Sequence, residues 1–170
     1  MSWDDAEDFL RRFIEVESAE VSKLIEMALP REIEADLSLD SLVPVLTWVS
    51  LQLSTVRVEP DDDLPVWIRE CPSYARGLFE FDEPSKALVL RTAYYLGEVF
   101  VRFNRNLKWA TGAQETAEKN MPVITGFRSD VEMAPLLVLE NLFSRIIADG
   151  APSETIRTAI EYWLSMAKTI

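Results

Sequence analysis

The 170-residue sequence contains no histidine. That removes Ser-His-Asp and Cys-His nucleophilic catalysis, imidazole acid–base work and imidazole metal ligation together. Cysteine occurs once, at Cys71. It cannot close an intrachain disulfide, and one thiolate cannot build a zinc site. Without a histidine to deprotonate it, it reads as a small packed or loop thiol. Glycine is scarce, at five residues. None falls in a GxGxxG or Walker A loop, and no GxSxG nucleophile elbow is present. No apolar run reaches the roughly 20 residues that span a bilayer. The acidic start, "MSWDDAEDFLRR", lacks the basic n-region of a secretory signal. These absences predict a cytoplasmic chain in a reducing compartment, with no cofactor and no membrane anchor. Carboxylate chemistry, or contact without chemistry, is what remains.

What is there is acid. The formal net charge is −12, from 29 acidic and 17 basic side chains. Residues 1–85 carry 20 acids against 7 bases, and residues 86–170 carry 9 against 10. An acidic N-terminal half repels nucleic acid and anionic lipid, and it speeds encounter with a cationic protein. The tightest acidic cluster is Asp61-Asp62-Asp63 in "EPDDDLP", next to Glu59. Counting an EF-hand loop from Asp61 puts Val66 where the central glycine belongs and Pro72 where the bidentate glutamate belongs, so the calcium pattern fails. The triplet reads as a solvated turn between prolines. With Glu59 it is the candidate acidic surface for a cationic partner.

Length and a hydrophobic content of 48% predict one globular domain over residues 1–170. Apolar residues at 3–4 spacing (Phe9, Phe13, Val16, then Val21, Leu24, Ala28) predict helix over residues 3–28, divided in two near Ser18. Asp8 and Arg12 stand at the i,i+4 spacing of a helical ion pair. Ser38 or Asp40 caps a further helix, with Pro44 in its first turn. "TVRVE" at 55–59 has strand composition, and "LPVWIREC" is either a short strand or a helical turn. Asp82 is an N-cap with Pro84 just inside the helix that follows. "LKWATG" and "MPVITGF" suit a hairpin, with "TVRVE" as the third strand. Either a Ser129/Glu132 capping box or Pro135 opens the next helix. It ends near Gly150, and the last helix opens at Ser153. The sum is an α+β, mostly α domain: about six helices with a small two- or three-stranded antiparallel sheet.

The densest apolar run, "AYYLGEVFVRFNRNLKW" over residues 93–109, holds Gly97 and Glu98 in its middle. An interior glycine costs a helix about 1 kcal/mol relative to alanine, which is tolerable where a backbone or an aromatic ring packs closely. Glu98 and Arg102 stand at i,i+4 in the favourable order. If buried, the pair locks structure, and removal of one partner costs about 3–5 kcal/mol. The functional alternative is a groove lined by Glu98, Arg102, Lys108, Trp109 and Tyr95, in which Trp109 stacks on a ligand or anchors a protein.

The order "YLGEVF", then "KW", then "MPVITGF" ahead of an apolar helix resembles a pattern in several families of small bacterial domains of unassigned function. Some of these are grouped with the immunity proteins of toxin systems. The resemblance covers about residues 90–145 and rests on Tyr95, Leu96, Gly97, Glu98 and Trp109. It implies a cytoplasmic bacterial domain in which a helix runs into a strand, and it brings no catalytic residue. The expectation is a non-catalytic acidic binding domain, with an immunity protein as its specific form. Two alternatives stand beside it. One is a small-molecule binder or enzyme with a carboxylate site around Glu98. The other is a domain that self-associates through Trp67, Trp109 and Phe127.

Overall fold

A computed structural model describes residues 3–58, 78–113 and 118–167. Glu59, Asp61, Asp62, Asp63, Trp67 and Cys71 lie outside the described residues, and so does "LPVWIREC". The described elements are α1 (Trp3–Ala28), α2 (Leu39–Ser50), β1 (Thr55–Val58), β2 (Leu78–Phe81), α3 (Glu83–Phe103), β3 (Lys108–Thr111), β4 (Pro122–Thr125), α4 (Pro135–Asp149) and α5 (Pro152–Met166). The fold is α+β and mostly α, with five α-helices and two separate two-stranded antiparallel sheets among the described residues.

α3 is the axis of the molecule. It packs against α1, α2 and α4, while α5 lies on α2 and α4. Its start follows from sequence. The Asp82 side chain accepts from the Ser85 amide at 2.9 Å, and Pro84 sits in the first turn. That amide would otherwise be an unpaired donor at the helix end. Leu88, Val89, Ala93, Tyr94, Tyr95, Leu96, Val99 and Phe100 are buried around nearly the whole circumference, as an all-round apolar helix must be. Tyr95 is fully buried on the α2 side. Its hydroxyl accepts from the Leu37 amide at 3.1 Å and shares a hydrogen bond of 2.6 Å with Ser41 Oγ. One phenol thereby ties α3 to the start of α2.

Three local expectations change. α1 runs unbroken through Ser18, whose carbonyl accepts from Ser22 Oγ at 2.8 Å. It is Ser22, one turn on, whose side chain bonds back to the helix, and the helix does not end at Ser18. Ser38 caps α2, accepting from the Ser41 amide at 3.2 Å, so Pro44 falls in the second turn of the helix, not the first. "TVRV" pairs with "LFEF" of β2 in the register Thr55↔Phe81, not with the later hairpin. The hairpin itself forms as expected, β3 on β4 with Trp109 opposite Ile124. Pro135 opens α4, and α5 opens at Pro152, one residue before the expected Ser153.

Behind the hairpin an aromatic row closes the core. Phe127 stands 6.1 Å from Phe100 and 5.3 Å from Trp163, ring centre to ring centre. Phe127 is fully buried, so it supplies no surface for self-association. Gly126 precedes it at φ +103°, and a Cβ there would lie 2.1 Å from the Asn106 carbonyl oxygen. Only glycine allows that approach and that dihedral.

Candidate functional site

The buried face of α1 repeats at Ala6, Phe13, Val21, Leu24 and Ala28. Glu17 occupies the position one turn beyond Phe13 and one turn before Val21, so the helical period itself carries a carboxylate toward α3. Glu20, three residues on, faces the same interface. On the facing helix, Gly97 opens a space and Glu98 follows it. The third contributor is Trp109 of β3.

Trp109 lies on Gly97. A Cβ at position 97 would fall 2.1 Å from Trp109 Cζ2 and 2.5 Å from Cη2. The glycine in the middle of the apolar helix is therefore the seat of an indole ring. The ring is fixed at two further points. Its Nε1 donates to Glu17 Oε1 at 2.8 Å, and Phe13 meets it edge-on at 5.2 Å. Phe13 in turn stacks on Tyr94 at 4.1 Å. Trp109, Phe13 and Tyr94 thus form one aromatic seam between α1, α3 and β3.

The charges arrange themselves around this seam. Arg102 Nε donates to Glu98 Oε1. The Glu98 side chain is 23% exposed and that of Arg102 57%. This is the expected ion pair, set at the rim and not in the core, so its net worth is about 1 kcal/mol at most and not the larger figure of a buried pair. Glu20 is held by Lys23 and by Arg91, the latter at 2.8 Å. The bond from Lys23, then that from Arg91, holds its carboxyl below the usual range. Glu17 moves the other way. Burial raises it, and Glu98 nearby adds to the rise, while the Trp109 bond and Arg102 oppose it. Burial, together with Glu20 and Glu17, pushes the Tyr94 phenol up to about 12.

Of the five residues expected to line a ligand groove, the structure brings Glu98 and Arg102 into direct contact and places Trp109 against the same stretch of α3. Lys108 is exposed on β3. Tyr95 belongs to the bonded junction with α2 described above. Glu17 was not among the five. The signal for it was in the sequence, as an acid at a stripe position between Phe13 and Val21. Chemically, this cluster is committed. Trp109 bonds Glu17 and covers Gly97, and Glu98 pairs with Arg102, so each of these groups has a partner within the chain. Grooves of about 480 and 460 Å³ on the described surface are lined by other residues. Among the described residues no group of three or more carboxylates or thiols is placed to hold a metal ion. No described helix is long and apolar enough to cross a membrane.

A different set of carboxylates faces water. Between the end of α1 and the first turn of α2, Glu26, Glu32, Glu34, Asp36 and Asp40 are all exposed, and Arg31 is the one cation in that stretch. Glu26, Glu32 and Glu34 have no charged or hydrogen-bonding side-chain partner among the described residues. Leu29 stands among them, 74% exposed. Comparison with family models, curated proteins and solved structures finds no match to this chain.

Proposed function

We propose that the chain is a non-catalytic, cytoplasmic binding protein that engages a cationic protein through its acidic N-terminal half. Its specific form is an immunity protein that neutralises a basic toxin. The single observation that supports this reading is the division of labour among the acids. The carboxylates at the α1–α3 interface are spent on Trp109, Arg102, Lys23 and Arg91. Those of residues 26–40 stand in water, and the exposed Leu29 lies in the same stretch of chain. An apolar centre with a charged rim is the anatomy of a docking patch. A patch of one sign steers an oppositely charged partner and repels nucleic acid. Glu59 and Asp61–Asp63 extend the same sign along the sequence.

The test is association with a basic protein encoded beside this chain, followed by stopped flow at rising ionic strength. The expected result is a saturable complex whose on-rate falls steeply with salt while its dissociation rate changes little. An on-rate indifferent to salt removes the electrostatic basis of the proposal.

A further inference from the structure

One feature of the described surface carries the opposite sign. α1, α3, the β3–β4 connection and the start of α4 enclose an open groove of about 480 Å³. Its volume falls within the roughly 300–1,000 Å³ of small-molecule sites. The walls are apolar, with Phe9 and Val16 from α1, Leu90 from α3, and Met121, Pro122 and Leu136 from the far side. Phe9, Val16 and Leu90 are 44%, 47% and 37% exposed, so apolar area stands in water until something fills the groove.

Among the described residues, the charged ones lining it are Arg12 and Lys119. The sequence pairs Arg12 with Asp8, but that ion pair does not form. Asp8 binds Arg11 at 3.0 Å instead, and Arg12 Nε donates to the Asp8 carbonyl. Neither Arg12 nor Lys119 meets a carboxylate among the described residues. Tyr94 also lines the groove, and its hydroxyl has no hydrogen-bond partner among the described residues. Two cations around an apolar trough, in a protein of net charge −12, fit an anion and repel the cationic partner proposed above.

We propose that this groove binds a compact apolar molecule with a single anionic head, a free fatty-acid-type carboxylate. Its chain lies against Phe9, Val16, Leu90 and Met121, and its carboxylate is received by Arg12 and Lys119. A charge-assisted contact to each cation fixes the orientation, and the apolar walls supply most of the affinity.

Decanoate, decanol and decyltrimethylammonium separate the two contributions. Each is titrated into the full chain below its micelle concentration, by calorimetry and by proton–nitrogen correlation spectra. Decanoate is expected to saturate one site and to shift the amides of Phe9, Leu90 and Met121. Decanol is expected to bind about tenfold more weakly, and the ammonium not measurably. Arg12→Gln and Lys119→Gln each lower decanoate affinity about threefold to tenfold and leave decanol unchanged. Both residues are exposed, so their melting temperatures stay at the wild-type value. Equal binding of the three probes overturns the proposal, as does the absence of saturable decanoate binding or shifts mapping to other residues. The same amides moving with protein concentration alone also overturns it, since a second copy then fills the groove.

Discussion

Replacing Gly97 by alanine should destabilise the protein, although alanine is the better helix former. On a solvent-facing helix the change gains about 1 kcal/mol. Here the new methyl meets Trp109 Cζ2 at 2.1 Å and Cη2 at 2.5 Å. The ring is the far end of its side chain, but it is not free to swing. It is pinned by Glu17 at 2.8 Å and flanked by Phe13. Overpacking of this kind costs about 1–3 kcal/mol. If the ring yields, the half-buried Glu17 carboxylate loses its donor, which costs about 1–3 kcal/mol more. The balance is a loss of about 3 kcal/mol, or a fall in melting temperature of about 6–12 °C for a chain of this size. Urea unfolding followed by circular dichroism measures it. The decisive comparison is the same substitution in a Trp109→Ala background. With the ring gone the methyl has room, and Gly97→Ala should then raise stability by about 1 kcal/mol. If Gly97→Ala stabilises the wild-type chain, the indole does not occupy that seat and the reasoning fails.

Other outcomes follow from the same contacts. Glu17→Gln keeps an acceptor for Trp109 and removes a charge that burial disfavours. Because the folded-state value of Glu17 lies above its unfolded one, the ionised group opposes folding at neutral pH, and this cost disappears as pH falls through the folded and then the unfolded value. The variant should therefore unfold at higher urea than wild type at pH near 7. Its advantage should shrink toward zero below the ordinary glutamate range of about 4.3, and an advantage constant with pH contradicts the assignment. Tyr95→Phe strands the Leu37 amide and removes the bond to Ser41 Oγ, which keeps its own bond to the Ser38 carbonyl. It should cost about 1–3 kcal/mol, and a double-mutant cycle with Ser41→Ala should show coupling. Glu98→Gln should cost no more than about 1 kcal/mol, because its pair with Arg102 is at the rim. A cooperative loss of fold in that variant argues for a buried pair instead.

Much of this architecture is legible in the sequence wherever one local rule acts alone. Ser38 and Asp82 cap their helices because short polar side chains reach the free amides of the first turn. Pro135 and Pro152 mark helix starts for the complementary reason, that proline has no amide to leave unpaired. Gly97 raised the expectation of a ring or backbone packed close, and Trp109 supplies it. Local rules fail where a distant partner decides. Ser18 has the composition of a helix break, yet α1 continues because its face is buried on α3 to either side of that point. "LFEF" is too short for its alternation to announce a strand, and its pairing with "TVRV" is non-local. Glu17 shows the same limit. Its position on the stripe is visible, but only the arrival of Trp109 from 92 residues away makes an acid acceptable there. For the functional reading, the sequence supplied charge and absence. It could not separate acids bonded inside from acids left in water, because that distinction is made by tertiary contacts.

That separation is tested most directly by the association rate of a Glu26→Gln/Glu32→Gln/Glu34→Gln variant with a basic partner, measured beside wild type across a range of ionic strength. The account predicts an unchanged melting temperature, a slower on-rate at low salt, and convergence with wild type as salt screens the field. An on-rate identical to wild type at every ionic strength, or unfolding of the variant, contradicts it.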